Sequence, residues 1–163
     1  MIHYGHQSID DSDVAAVVEV LRGAHLTRGP AVEEFERSLC EATGARFAVA
    51  VANGTAALHA ACWAAGLGPG DRVATSALTF SASAAAAVYV GATPVLVDVD
   101  RETLNLDLAQ VPGDVDALVA VHYAGLPADL PQGARRPRVV IEDGAHALGA
   151  HTIDGPVGGC ARS

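Results

Sequence analysis

Lysine is missing from this sequence: all ten basic residues among its 163 are arginine. A Gly-x-x-x-x-Gly-Lys-Ser/Thr loop is therefore impossible, which excludes a P-loop nucleotidase. Positive charge is scarce as well. The net charge is −9, with acidic residues spread along the chain, and a surface of that sign repels DNA, RNA and anionic lipid. Any phosphate must be held by local geometry rather than by a basic field. Only three cysteines occur, Cys40, Cys62 and Cys160, in neither paired nor metal-type spacing. Cys40 and Cys62 fall among apolar residues on predicted helices and read as buried free thiols, which suits a reducing cytoplasm. The polar start, MIHYGHQSIDDSD, lacks the basic-then-apolar pattern of a signal peptide. The apolar stretch at residues 82–90 is too short to span a bilayer. No membrane partner and a cytoplasmic location are expected. Internal repeats and low-complexity linkers are also missing.

What remains is a chain with half its residues hydrophobic and only 18% charged, the profile of one compact α/β domain with a real core. Two amphipathic helices come first. Residues 13–21 place Val14, Val17, Val18 and Leu21 on one face behind the capping residues Asp10 to Ser12. The second helix starts at Pro30, buries Val32, Phe35 and Leu39, and ends near Gly44. Strands then alternate with helices: strands are predicted at 47–51, 72–75, 94–97, 117–121 and 139–141. Helices are predicted from Asn53 to Gly66 and over 81–90. Such alternation implies a mainly parallel sheet with helices on both faces. The link at residues 124–138 is rich in Pro, Gly and Arg and has room for only a turn or two of helix.

Ligands of open parallel sheets bind beyond the carboxyl ends of the strands, so the residues just after each strand matter most. They are Asn53-Gly54-Thr55, Leu78-Thr79-Phe80-Ser81, His122-Tyr123, and Glu142-Asp143 with His146. Gly54 and Thr55 open a helix, where free N–H groups, the Thr55 hydroxyl and the helix dipole suit a phosphate. The same turn reads equally well as a plain structural cap. Asp143 ends an apolar strand before Gly144 and could approach a ligand, or simply cap a turn. A metal site built from His122, Asp143 and His146 matches no standard spacing. Gly66-x-Gly68-x-Gly70 follows a helix rather than a strand, so a dinucleotide fingerprint fails on context.

In order, Tyr4–Asp10, Leu26-Thr27-Arg28-Gly29-Pro30, Val51–Leu58, Leu78–Ala84, Gly91–Val95, Val121–Gly125 and Ile141–Ala150 form a pattern. It resembles the DegT/StrS family of sugar aminotransferases, within the fold type I pyridoxal-phosphate enzymes, over nearly the whole chain. The resemblance implies pyridoxal 5'-phosphate as cofactor, with its phosphate at Gly54 and Thr55 and its ring stacked on Phe80. Asp143 would bond the protonated ring nitrogen, and His146 would lie by the phenolic oxygen. Thr27 and Arg28 are placed near the sugar. The implied partners are a nucleotide-sugar substrate and an amino-acid donor, usually glutamate, with a homodimer in the full-length enzyme. The Leu-Thr-x-Gly-Pro loop and the Ala-His-Ala-Leu-Gly run point to enzymes that aminate the C4 keto group of UDP-linked deoxy sugars on the way to pseudaminic acid.

The family also requires a Schiff-base lysine, implied in a Phe-Ser-Phe-His-type segment beyond Ser163. The expectation is therefore a large domain cut short. Residues 1–44 supply its N-terminal helices and 45–163 its sheet and cofactor site, without the small C-terminal domain. No catalytic residue lies in the chain, no turnover is expected from it alone, and its open sheet edge invites aggregation. The competing readings are a non-catalytic remnant or half-protein that binds pyridoxal phosphate or a sugar nucleotide and complements another chain, and an unrelated nucleotide-binding α/β domain.

Overall fold

A computed structural model describes residues 7–133, 136–153 and 155–159. Helix α1 (Asp11–Arg22) opens with a capping box: the Asp10 carboxylate accepts from the amides of Ser12 and Asp13, and the Asp13 carboxylate accepts from the Asp10 amide. Helix α2 (Pro30–Thr43) begins at proline and stops where Gly44 turns left-handed, as the sequence predicts. Their apolar stripes are formed but not covered. Neither helix buries a residue, and Val14, Val17, Leu21, Val32 and Phe35 are all exposed. Periodicity creates a face; a partner has to cover it.

The sheet has four parallel strands in the order β2-β1-β3-β4: β1 (Arg72–Ser76), β2 (Thr93–Val97), β3 (Ala117–Val121) and β4 (Val139–Asp143). Central β3, Ala-Leu-Val-Ala-Val, is buried at every position because it is covered on both faces. On one face, α3 (Gly54–Ala64) and α4 (Ala82–Tyr89) pack Leu58, Cys62, Ala82, Ala86 and Ala87 over Val73, Ala117 and Val119. Alanine allows the two helices to sit close together on the sheet. Both helices end alike, with the Leu67 amide bonding back to the Cys62 carbonyl and the Ala92 amide to that of Ala87.

The second face is covered differently from expectation. Leu106, Leu108, Val111, Val115 and Leu130 pack over Ala74, Val97, Leu118 and Ala120 from irregular chain and one 3-10 turn, Leu108–Gln110. The link before β4 holds no α-helix among the described residues; its one complete turn is the 3-10 turn Tyr123–Gly125. The strand predicted at 47–51 does not form either. Phe47, Val49 and Val51 are exposed, and the Ala50 amide bonds the Glu36 side chain at 2.7 Å instead of a neighbouring strand. An apolar run becomes a strand only with a ladder partner, and the described residues provide none. A short antiparallel pair, β5 (His151–Thr152) with β6 (Gly155–Pro156), follows β4. Among the described residues no helix is long and apolar enough to cross a membrane.

Candidate functional site

Parallel strands bring their carboxyl ends to one rim, and the chain turns there three times around a pocket of about 350 Å³. After β1, the Ser76 hydroxyl and the Leu78 backbone bond each other at 3.1 Å, turning the chain so that Leu78, Thr79 and Phe80 form one wall. After β3 come His122 and Tyr123; at the end of β4 come Asp143, Ala145 and His146. The Phe80 ring is 76% exposed although it lines a pocket.

Asp143 is anchored from α4. The buried Ser83 hydroxyl donates to Oδ2 of Asp143 at 2.8 Å, and Ser83 is itself 2.9 Å from the Thr79 hydroxyl. Among the described residues the other carboxylate oxygen, Oδ1, receives only a long 3.3 Å bond from the Ala145 amide. A carboxylate oxygen can accept more than one hydrogen bond, so Oδ1 keeps capacity for a further donor. Asp143 is thus held in place without being used up.

The loop after β3 is fastened from below. Asn105, buried, accepts from the Tyr123 amide at 2.9 Å and donates to the carbonyls of Leu126 and Pro127 at 3.2 and 3.3 Å. His122 lies 3.0 Å from Glu142 through Nε2 and 2.9 Å from the Ala128 amide through Nδ1. Gly125 adopts a φ of 87°, and a Cβ there would stand 2.8 Å from the His146 carbonyl oxygen. Only glycine lets the loop back this closely onto His146.

Of the sequence-predicted residues, Phe80, Asp143 and His146 meet in this pocket. Gly54 and Thr55 open α3 elsewhere on the rim and do not line it. Asn53 caps that helix by accepting from the Ala56 amide at 2.9 Å, which leaves the first amides of the helix, at Gly54 and Thr55, without a partner among the described residues. Thr27 and Arg28 lie exposed in the turn between α1 and α2, with Arg28 at a φ of 51°, and do not line the pocket. Among the described residues, His122, Asp143 and His146 form no three-ligand metal cluster. Sequence reasoning missed Ser83 as the partner of Asp143, although Ser83 lies within a quoted motif. It also missed Asn105, whose only signal is a lone amide between Leu104 and Leu106.

A second cavity, of about 700 Å³, follows the outer edge of β4 between residues 128–133 and 152–159. It holds none of the predicted site residues, and the chemistry described above lies in the smaller pocket.

Residues 7–163 match the DegT/DnrJ/EryC1/StrS aminotransferase family. The structure is similar to the sugar aminotransferase CalS13 from Micromonospora echinospora, with 33% identity over 97% of this chain and 47% of that one, at a TM-score of 0.83. It is similar to 3-amino-5-hydroxybenzoic acid synthase, with 36% identity over 93% and 42% of the two chains, also at 0.83. A third likeness is to the PLP form of Spr1654 from Streptococcus pneumoniae, a proposed sugar aminotransferase. Identity there is 32% over 78% and 34% of the chains, at a TM-score of 0.72. The chain thus spans between 34% and 47% of the length of these three proteins.

Proposed function

The chain belongs to the DegT/DnrJ/EryC1/StrS aminotransferase family, and we propose that it forms the cofactor-binding part of a pyridoxal-phosphate-dependent enzyme that aminates a nucleotide-linked keto sugar. Its four-stranded sheet matches the family's fold type I structures over part of their length. The observation that carries the proposal is the meeting of Phe80, Asp143 and His146 at one pocket beyond the strand ends.

These residues fit the cofactor. The spare capacity of Asp143 Oδ1 suits a protonated ring nitrogen, and the bare Phe80 ring suits a flat heteroaromatic. When bound, pyridoxal 5'-phosphate supplies an electron sink for the carbon that loses its proton. In this reading the Asp143 carboxylate keeps the ring nitrogen protonated through a charge-assisted bond worth about 1.5–3 kcal/mol. Ser83 holds Asp143 through its 2.8 Å bond, Phe80 would offer its ring to the cofactor ring, and His146 would serve the ring oxygen. The amides at Gly54 and Thr55, which have no partner among the described residues, and the Thr55 hydroxyl would hold the phosphate at the positive end of α3. In a chain of net charge −9, such local donors are the means available.

The amine that carries the cofactor must come from outside these 163 residues, since they contain no lysine. Thr27 and Arg28 are proposed to meet the sugar, glutamate to be the amino donor, and the active assembly to be a homodimer. The C4 keto group of a UDP-linked 6-deoxy sugar is the proposed acceptor, on the strength of the Leu26–Pro30 loop and the Ala145–Gly149 run. Similarity to 3-amino-5-hydroxybenzoic acid synthase favours a second reading, a cyclic acceptor that is not a nucleotide sugar.

Titrating the chain with pyridoxal phosphate tests the core of the proposal. Binding should shift the cofactor's absorbance and weaken roughly 10- to 100-fold in Asp143→Ala. Borohydride should leave no reduced lysine adduct on these residues. Failure to bind, or an Asp143→Ala protein that binds as wild type does, would remove the reading. Adding the lysine-bearing part and offering both acceptor classes with glutamate separates the two substrates.

A further inference from the structure

We propose that His122 is a positioning residue: its imidazole, fixed in the Nε2–H tautomer, clasps the loop after β3 to β4 and sets the pocket wall that backs His146. The proposal rests on the reading that this pocket takes pyridoxal phosphate. The His122 side chain is wholly buried, and both ring nitrogens are committed. The partner of Nδ1, 2.9 Å away, is the backbone amide of Ala128, a group that can only donate. Nδ1 must therefore present its lone pair, and the ring proton sits on Nε2, facing Glu142 Oε2 at 3.0 Å. The tautomer follows from the chemistry of the amide. It leaves no nitrogen free to bond a ligand, although His122 borders the pocket.

The loop it holds needs holding. Ala124 sits at a φ of 51°, a left-handed conformation that an alanine keeps only when its surroundings over-determine it. Asn105 fixes the loop at Tyr123, Leu126 and Pro127; His122 fixes it at Ala128. Between these fastenings Gly125 lies directly against the His146 carbonyl. Without the Ala128 bond the strained turn rests on its Asn105 fastenings, and the wall between Tyr123 and His146 loosens. Glu142 completes the clasp by holding the ring through its other nitrogen from the strand that ends in Asp143.

Nitrogen-15 NMR of the full chain near neutral pH reads the tautomer directly. A pyridine-type Nδ1 and a pyrrole-type Nε2 are expected for His122; an imidazolium or the reversed tautomer would overturn the proposal. Two substitutions separate the bonds, because the asparagine amide oxygen can replace Nδ1 and the glutamine amide nitrogen can replace Nε2. His122→Asn should keep the Ala128 amide slow to exchange and hold pyridoxal phosphate within about threefold of wild type. His122→Gln should lose that protection and the affinity, each by roughly tenfold or more. Equal behaviour of the two variants, or the reverse order, would overturn the clasp. If His122→Gln does not fold, the tautomer and the Asn rescue still decide. A wild-type chain that binds no pyridoxal phosphate would sink the functional reading, while Ala128 exchange would still judge the clasp.

Discussion

Replacing Gly125 with alanine would disturb the pocket wall without changing the identity of any pocket-lining side chain. A non-glycine residue in the left-handed region costs about 1–2 kcal/mol. Narrowing the unfolded ensemble returns about 0.4–1 kcal/mol of that. The new Cβ would also stand 2.8 Å from the His146 carbonyl oxygen. That neighbour is main chain and cannot swing aside, so the backbone must move, and overpacking of this kind costs roughly 1–3 kcal/mol. The net expectation is a loss of about 1–4.5 kcal/mol in urea unfolding, or a fall in Tm of about 2–4 °C for each kcal/mol. Affinity for pyridoxal phosphate should fall with it, because His146 shifts. Ala124→Gly is the internal control. It relieves the strain at a φ of 51° at an entropic cost of about 0.5–1 kcal/mol, so stability should stay within about 1 kcal/mol of wild type. A Gly125→Ala protein within about 0.5 kcal/mol of wild type, with unchanged cofactor binding, would refute the reasoning.

Ser83→Ala removes the 2.8 Å donor to Asp143 and should weaken pyridoxal phosphate binding about tenfold while the fold survives; an unchanged titration would show that Asp143 needs no anchor. Burial pushes the Cys62 thiol up, so in a Cys160→Ser background a thiol reagent should label half-buried Cys40 and reach Cys62 only on unfolding. Labelling of both at one rate in the native protein would contradict the packing. Asp100 accepts bonds from the amides of Thr103 and Glu102 and from the Thr103 hydroxyl, and the Thr103 amide leads in holding its carboxyl below the usual range. A lowered folded-state pKa contributes stability above the unfolded value and loses it as pH falls through the folded one. Unfolding followed from about pH 5 down to pH 2 should therefore be less pH-dependent in Asp100→Asn than in wild type; parallel curves would count against it.

The parts of the fold that depend on one segment were legible in the chain. An all-apolar run at β3 and a proline-to-glycine helix at α2 carry their own signals. Phe80, Asp143 and His146 could be grouped because parallel strands leave no choice about which rim they share. What depends on a partner was not legible. Among the described residues, 47–51 have a strand's composition and no ladder, and α1 has a stripe with nothing over it. The bond from Ser83 to Asp143 joins residues 60 apart, and no local pattern announces it. Asn105 is a polar residue whose purpose appears only when the loop it fastens is folded beside it.

The pleat of β4 has a last consequence. Glu142 and Asp143 are adjacent acids, but alternation sends one to the His122 side of the sheet and the other to the Ser83 side. They are neighbours in the gene and strangers in space. One residue inserted ahead of Ile141 would bring Glu142 to the pocket and Ile141 to the histidine, and one residue deleted there would bring Asp143 to the histidine and Gly144 to the pocket. Each acid matches its post only in the present frame, so this strand should accept changes of residue identity more readily than any change of length.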